Sequence, residues 1–393
     1  MGKWEMVRLG VHTEQIRGIS YKPEDAIDKA DITHLPILRA HNIQERGLNT
    51  DNLIYVNIER IKKHQYIQKG DIIVCASSGS KDLVGKAAQA EQNMSASFGA
   101  FCKVVRPSKT IEAAYLKHYF SSPFYRFTIS ELSAGANINN LRNEHIDDLQ
   151  IPLPPLPVQQ QIADVLNQAS VLIEKRKAQI EKLDLLVKSR FIEMFGDGLD
   201  DTAVELRDVC TIITDGTHQP PKFTDSGIPF LLVSNIVDNE INYDTKKLIS
   251  HEEYETLIKR TPIEVGDVLL TIVGSYGNPA IVKTEQEFCF QRHIAYMKPK
   301  HELINSTYLH AAFLSNAVKK QIEVKVKGIA QKTLNLSELK TIRVNLPPHE
   351  LQNSFADFVR QANKSKFEMQ QEQGKLELLY KSLMQKSFIG EMF

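Results

Sequence analysis

The sequence predicts an α+β protein: two tandem-duplicated globular domains, each followed by a long helix, with the two helices pairing as an antiparallel coiled coil. Three observations carry this. The chain repeats itself at one fixed shift, a proline junction closes each copy, and a long run of helical spacing comes after each junction. Gly135, Leu141, Leu153, Pro154, Pro155, Gln159, Ala163 and Asp164 recur as Gly328, Leu334, Leu346, Pro347, Pro348, Gln352, Ala356 and Asp357, always 193 positions on. Pro36, Asn42 and Ile43 match Pro229, Asn235 and Ile236, and Tyr115, Leu116 and Phe120 match Tyr308, Leu309 and Phe313 at the same shift. Gly70-Asp71 finds Gly266-Asp267 slightly further along, so small insertions offset one another. A period this long is a whole domain with an appendage, far beyond a solenoid unit. The boundaries this implies are 1–157 and 197–349 for the globular domains, and 158–196 and 350–393 for the helices.

The elements come in order. Leu53-Ile54-Tyr55-Val56 and Asp71-Ile72-Ile73-Val74-Cys75 read as strands, the second after the turn Lys69-Gly70. Residues 112–132 read as a helix interrupted near Pro123, and Val268–Val273 is the counterpart strand of the second copy. Short strands mixed with helices give α+β. Ile151-Pro152-Leu153-Pro154-Pro155-Leu156-Pro157 and Val344-Asn345-Leu346-Pro347-Pro348 then forbid helix and stiffen the chain, which fixes the direction in which each long helix leaves its domain. After the first junction, Val158, Ile162, Val165, Ala169, Leu172, Ile180, Leu183, Val187 and Met194 keep close to 4-3 spacing, and Gly196 stops the run. Such a helix is roughly 55 Å long. The second helix, from about Glu350, carries Leu351, Phe355, Phe358, Ala362, Leu376, Leu379, Leu383 and Phe388; its polar stretch Lys364–Gly374 predicts a weaker section. A stripe this long and narrow needs another helix to cover it, and the duplicate in the same chain is the nearest. A pseudo-twofold would set the helices antiparallel, with the domains at opposite ends of a rod.

With 393 residues there is chain enough for two cores. No apolar stretch follows a basic start and no run is apolar enough to span a bilayer, so neither a signal peptide nor a membrane span is expected. Cys75, Cys102, Cys210 and Cys289 form no CxxC pair and read as reduced, buried thiols of a cytoplasmic protein. Lysine and arginine balance aspartate and glutamate at 48 each, so any attraction for nucleic acid must come from a local patch. Lys319, Lys320, Lys325, Lys327 and Lys332 form one, which the first copy does not share; the alternative is an ordinary solvated face.

Catalytic signatures fail on inspection. Gly79–Ala87 resembles a phosphate-binding loop, but five residues separate Gly79 from Gly85 where four are needed, and Ala87 replaces the magnesium-holding Ser/Thr. His301-Glu302 begins like a zinc-protease helix, but Asn305 stands where the second His is required. Asn278-Pro279 is followed by Ala280, so the tetrapeptide that would hold a base for methyl transfer is absent. No motif points to a catalytic or metal site, and the chain reads as a binding protein.

Gly328, Gln331, Leu334, Leu339, Val344–Pro348 and Gln352, with the first copy's Gly135, Leu141, Ile146, Ile151–Pro155 and Gln159, resemble the specificity subunit of Type I restriction–modification enzymes over the whole chain. The first copy departs from the signature, with Asn137 and Ile138 where the second has its glutamine. The resemblance implies that each globular domain reads one half of a bipartite double-stranded DNA target. It implies that the helices act as spacer and dock for two modification subunits, with restriction subunits completing an ATP-dependent nuclease. S-adenosylmethionine, ATP and magnesium would belong to those partners, with no cofactor in this chain. Leu153, Pro154, Pro155, Gln159, Leu346, Pro347, Pro348 and Gln352 are the candidate junction and docking residues. The competing reading is a duplicated coiled-coil adaptor that binds other proteins.

Residue chemistry nominates DNA contacts where no family residue transfers. Ser78, Gly79, Ser80, Lys81 and Lys86 come after the first domain's strand, and Gly274, Ser275, Tyr276 and Asn278 after the second's. Small residues admit close backbone approach, and amide and basic groups suit phosphates and base edges. Gln291, Arg292 and His293 form a second group with bidentate donors. Lys327, Gln331 and Lys332 are candidates for phosphate contact. For the two loops and the Gln291–His293 group the alternative is an ordinary polar turn.

Overall fold

The computed structural model describes residues 4–44, 47–80, 83–134, 140–328 and 332–392. Lys81, Gly135, Asn137, Ile138 and Gln331 lie outside the described residues. The chain divides into two compact units, Met1–Arg176 with Glu372–Phe393, and Lys177–Gln371. Each unit therefore holds one globular domain and one part of each long helix.

In the first unit, the strands Thr13–Arg17, Cys102–Pro107, Ile72–Cys75 and Ala87–Gln89 lie side by side in that order, all antiparallel. Ile72-Ile73-Val74-Cys75 is apolar throughout because both faces are covered. Ile72 and Val74 pack on Tyr115, Leu116 and Tyr119 of the helix Ala113–Phe120, while Ile73 and Cys75 face Leu38 and Phe98 of a smaller sheet. That sheet orders Ser97–Phe98, His34–Leu38, Ile54–Asn57 and Ala26–Ile27, with its first pair parallel. The second unit repeats the plan. Cys210–Asp215, Ile294–Pro299, Val268–Thr271 and Pro279–Ile281 form the main sheet, and Phe223–Thr224, Leu248–Ile249, Ile228–Leu231 and Cys289–Phe290 the smaller one. The helix anticipated over 112–132 is two, Ala113–Phe120 and Pro123–Ala134, broken where Pro123 sits.

Each domain begins and ends beside its junction. Met6–Arg8 pairs with Gln150–Pro152, and Val204–Glu205 with Arg343–Val344. The same latch then holds each junction. Tyr115 donates to the carbonyl of Pro152 (2.7 Å) and Tyr308 to that of Asn345 (2.8 Å). Gln159 accepts from the Glu112 amide (2.8 Å) and donates to the Pro154 carbonyl (2.8 Å). Gln352 accepts from the Asn305 amide (2.8 Å) and donates to the Pro347 carbonyl (2.8 Å). Both glutamines are buried at the junctions, where they clamp helix to domain. Pro155 and Pro348 are exposed, Leu153, Leu346 and Pro347 are half-buried, and Pro154 is buried.

The central helix runs Leu156–Phe195 and the C-terminal helix His349–Ile389. Pro157 sits in the first turn, where no amide partner is needed. Gly196 comes next in the left-handed region, φ 75°, and its amide caps the Ile192 carbonyl at 2.8 Å. The section anticipated as weak, Lys364–Gly374, is unbroken helix. In the first unit Ile162, Leu166 and Met384 share one buried cluster, and Arg176 pairs with Glu372 at 2.7 Å. In the second, Phe191 meets Phe355 edge-on with ring centroids 5.5 Å apart, and Lys366 pairs with Asp184. In both units the contacts run in opposite senses along the two helices. The stripe differs from its prediction in register: Ile173 is buried while Leu172, Leu351 and Leu379 face outward.

Candidate nucleic-acid interface

The ends of three main-sheet strands gather the predicted residues of the second unit. Gly274–Asn278 leaves the end of Val268–Thr271, and Gln291–His293 enters Ile294–Pro299 beside it, joined by the bond from the Ile272 amide to the His293 carbonyl (2.9 Å). The segment around Lys327 and Lys332 folds onto the same loop through bridges from Val273 and Lys327 to Thr333 and a bond from the Gly274 amide to the Lys332 carbonyl (3.0 Å). The loop is stiffened from within. Asn278 donates its amide to Thr271 Oγ1 (3.0 Å) and its side-chain nitrogen to Ser275 Oγ (3.1 Å). Lys332 Nζ stands 5.9 Å from the Tyr276 ring centroid, the outer limit of a cation–π contact.

Not all of the basic patch is available. Lys325 and Lys327 both donate to Glu338, at 3.4 and 3.2 Å. Those hydrogen bonds hold the Glu338 carboxyl below its ordinary range, and the carboxylate offsets one of the two lysine charges it meets. Lys332 is exposed, so of Lys327 and Lys332 it is the better placed to meet a phosphate.

The first unit builds the same frame. Ala76 and Ser77 donate to the Phe101 carbonyl (2.8 and 3.0 Å), the Leu141 amide donates to Ala76 (2.7 Å), and Ser77 bridges Asn140. Gly79 and Ser80 are exposed, Ser78 and Lys86 half-buried. Gly79 and Ser80 thus lie open at the corresponding end of the sheet.

A further cluster, missed in the sequence, shares this end of the second unit. Asp215, at the end of its strand, accepts from Arg260 Nη2 (2.5 Å) and lies 3.2 Å from His218 Nε2. Gly216 makes this possible: a Cβ there would stand 2.1 Å from the Phe290 carbonyl oxygen. The chain is then sewn to Gln291-Arg292 by the Thr217 amide on Phe290 (2.9 Å) and the Arg292 amide on Thr217 (2.9 Å). Arg260 arrives from a separate turn, so no local spacing announces the cluster. The usable signal was the glycine pair Gly18 and Gly216, since an added Cβ at Gly18 would meet the Gly99 carbonyl at the same 2.1 Å.

Comparison with known proteins agrees with this duplicated architecture. The model of the Type I restriction modification DNA specificity domain matches residues 1–182 and again 200–379. The chain belongs to this family. Within this Type I specificity family, it is 28% identical to the EcoKI specificity subunit of Escherichia coli strain K12, over 99% of this chain and 89% of that one. It is 40% identical to the StySPI specificity subunit of Salmonella potsdam over 47% of this chain and 40% of that protein. The fold resembles the crystal structure of the S subunit of a Type I restriction–modification system from M. genitalium. That likeness has a TM-score of 0.56 at 15% identity, over 98% and 96% of the two chains. A chain from a structural study of complex assembly in the type I R-M system gives 0.57 at 18%, over 100% and 98%. Among the described residues, no helix is long and apolar enough to cross a membrane.

Proposed function

We propose that this chain supplies DNA target specificity to a Type I restriction–modification complex, reading a bipartite double-stranded sequence with one domain per half-site. The observation that carries this is a shared frame with different side chains. Backbone bonds place Gly99-Ala100-Phe101 of the first domain where Gln291-Arg292-His293 stands in the second. A frame kept in both copies, with an exposed phenyl ring in one and cationic and amide groups in the other, suits two modules that read different bases.

The helices serve as an antiparallel coiled-coil spacer and as the dock for two modification subunits. Leu185-Leu186 and Leu378-Leu379 occupy equivalent positions of the two helices, and all four side chains are exposed, between 49% and 68%. Paired apolar residues left in water twice, at repeat-related positions, fit one partner type bound twice. Restriction subunits would join this assembly. S-adenosylmethionine, ATP and magnesium would be held by the partner subunits, and the chain itself performs no catalytic step.

The test is co-expression with the modification subunit in a methylation-free host, followed by genome-wide mapping of modified bases. An interrupted motif with a methylated adenine in each half supports the reading. A stable complex that modifies nothing favours the adaptor alternative.

A further inference from the structure

We propose that Arg260 is a base-reading residue of the second domain, held by Asp215 so that its guanidinium meets the O6/N7 edge of a guanine in that domain's half-site. This rests on the half-site reading above and adds the residue and the base class.

The two domains share one frame at this end of the sheet. Thr217 bridges Gln291 in the second domain as Ile19 bridges Gly99 in the first, and the Thr217 and Ile19 amides both bond the preceding phenylalanine's carbonyl (2.9 Å each). Both loops are pinned by a glycine with no room for a Cβ. Strand register then aligns Asp215, opposite Ala295, with Arg17, opposite Lys103. The backbone is the same and the charge is inverted. Fold maintenance gives no reason to invert a charge on a duplicated frame. Discrimination between two half-sites does.

Asp215 suits a positioning role. Its side chain is 11% exposed while those of Arg260 and His218 are about half exposed, at 52% and 51%. The carboxylate accepts from one guanidinium nitrogen, which also stands 3.4 Å from His218 Nε2, so the half-exposed arginine is tethered at one end of its fork. Holding an arginine still before binding removes the rotamer cost that otherwise weakens such a contact. Arg292 is exposed beside this cluster, and its side chain has no hydrogen-bond or ion-pair partner among the described residues. It adds positive charge where a backbone phosphate would pass. Arginine to guanine O6/N7 is the commonest specific major-groove contact and discriminates by about 1–3 kcal/mol. That is roughly a 5- to 150-fold preference.

The experiment uses the complex with the modification subunit. Methylation rates are compared across duplexes carrying each alternative base pair at every position of both half-sites, for the unchanged chain and for Arg260→Ala, Arg260→Lys and Asp215→Asn. With duplex below saturation, rate ratios cancel a uniform loss of affinity, and Arg260 is exposed enough for substitution to leave the fold intact. The expected result is a preference for one G·C pair in the second half-site that falls by roughly 5- to 150-fold in Arg260→Ala. Arg260→Lys and Asp215→Asn should lose part of it, with every first half-site ratio unchanged. Unchanged ratios at all positions, even with slower rates, overturn the proposal, because a phosphate contact would do that. Relaxation of both half-sites together also overturns it. If the unchanged complex shows no two-part motif at all, the half-site reading itself falls, and this inference with it.

Discussion

Gln159 and Gln352 show how one residue type can set the direction of an entire helix. Each satisfies a backbone amide from the domain and a proline carbonyl from the junction, so rotating the helix away would strand several buried groups at once. Gln352→Ala should cost about 2–3 kcal/mol, read as a lower urea midpoint, because the Asn305 amide loses its acceptor. An unchanged midpoint would mean that water or a neighbour replaces the glutamine. His118 is a second single-residue clamp, confined to the first unit. Its ring nitrogens reach Tyr380 (3.0 Å) and Asn167 (2.9 Å), so it ties domain, C-terminal helix and central helix together. The equivalent position in the second copy is Ala311. Burial pushes the imidazole down from 6.5 to about 4, against a smaller opposing contribution from the Asn167 hydrogen bond. The unfolded chain therefore takes up this proton first as pH falls. The stability tied to neutral His118 is whole above the unfolded value, is lost between 6.5 and about 4, and is level below that. The loss amounts to about 3 kcal/mol. Denaturation at pH 7 and pH 4.5 should show this loss in the unchanged chain and a smaller one in His118→Gln.

At the scale of elements, the exposed loops are where binding should be read out. Lys332→Ala should weaken DNA binding by the complex evenly across sequences and lower the slope of log affinity against log salt by about 1. A shift in preferred sequence would instead make Lys332 a base reader. The elements themselves were largely legible in the sequence. The repeat, the proline junctions, the paired strands and both long helices emerge from spacing and from proline and glycine placement, which are local properties. Four things were not legible. The polar stretch Lys364–Gly374 stays helical because helix is compatible with every residue there, and Lys366 gains Asp184 as partner. The detailed stripe, Ile173 in place of Leu172, depends on side-chain packing that two adjacent apolar residues cannot encode by spacing alone. Asp215 and Arg260 meet across 45 positions through a turn with no motif, and Glu338, from a different helix, is shared by Lys325 and Lys327 and offsets one of their two charges. Charge counted along a chain says little about charge at a surface.

At the scale of the molecule, the helices are the parts whose length matters. Deleting one heptad from each should shorten or abolish the unread gap between half-sites, as methylome mapping of the complex would reveal; an unchanged gap would remove the spacer role. The four cysteines give the two units another use. Cys75 and Cys102 lie opposite each other on neighbouring strands of the first unit, Cys210 and Cys289 in separate sheets of the second, and all four are free and buried. Burial pushes the Cys102, Cys210 and Cys289 thiols up to about 12, and Cys75 upward as well, so a thiolate-seeking reagent meets almost no nucleophile in the folded chain. Each unit thus carries two silent reporters. Mass spectrometry after a brief pulse of maleimide in rising urea would count labels in twos and name, peptide by peptide, which half of the protein opens first. The unmodified chain is also a nearly blank background, on which one cysteine introduced at an exposed loop would carry a fluorophore alone.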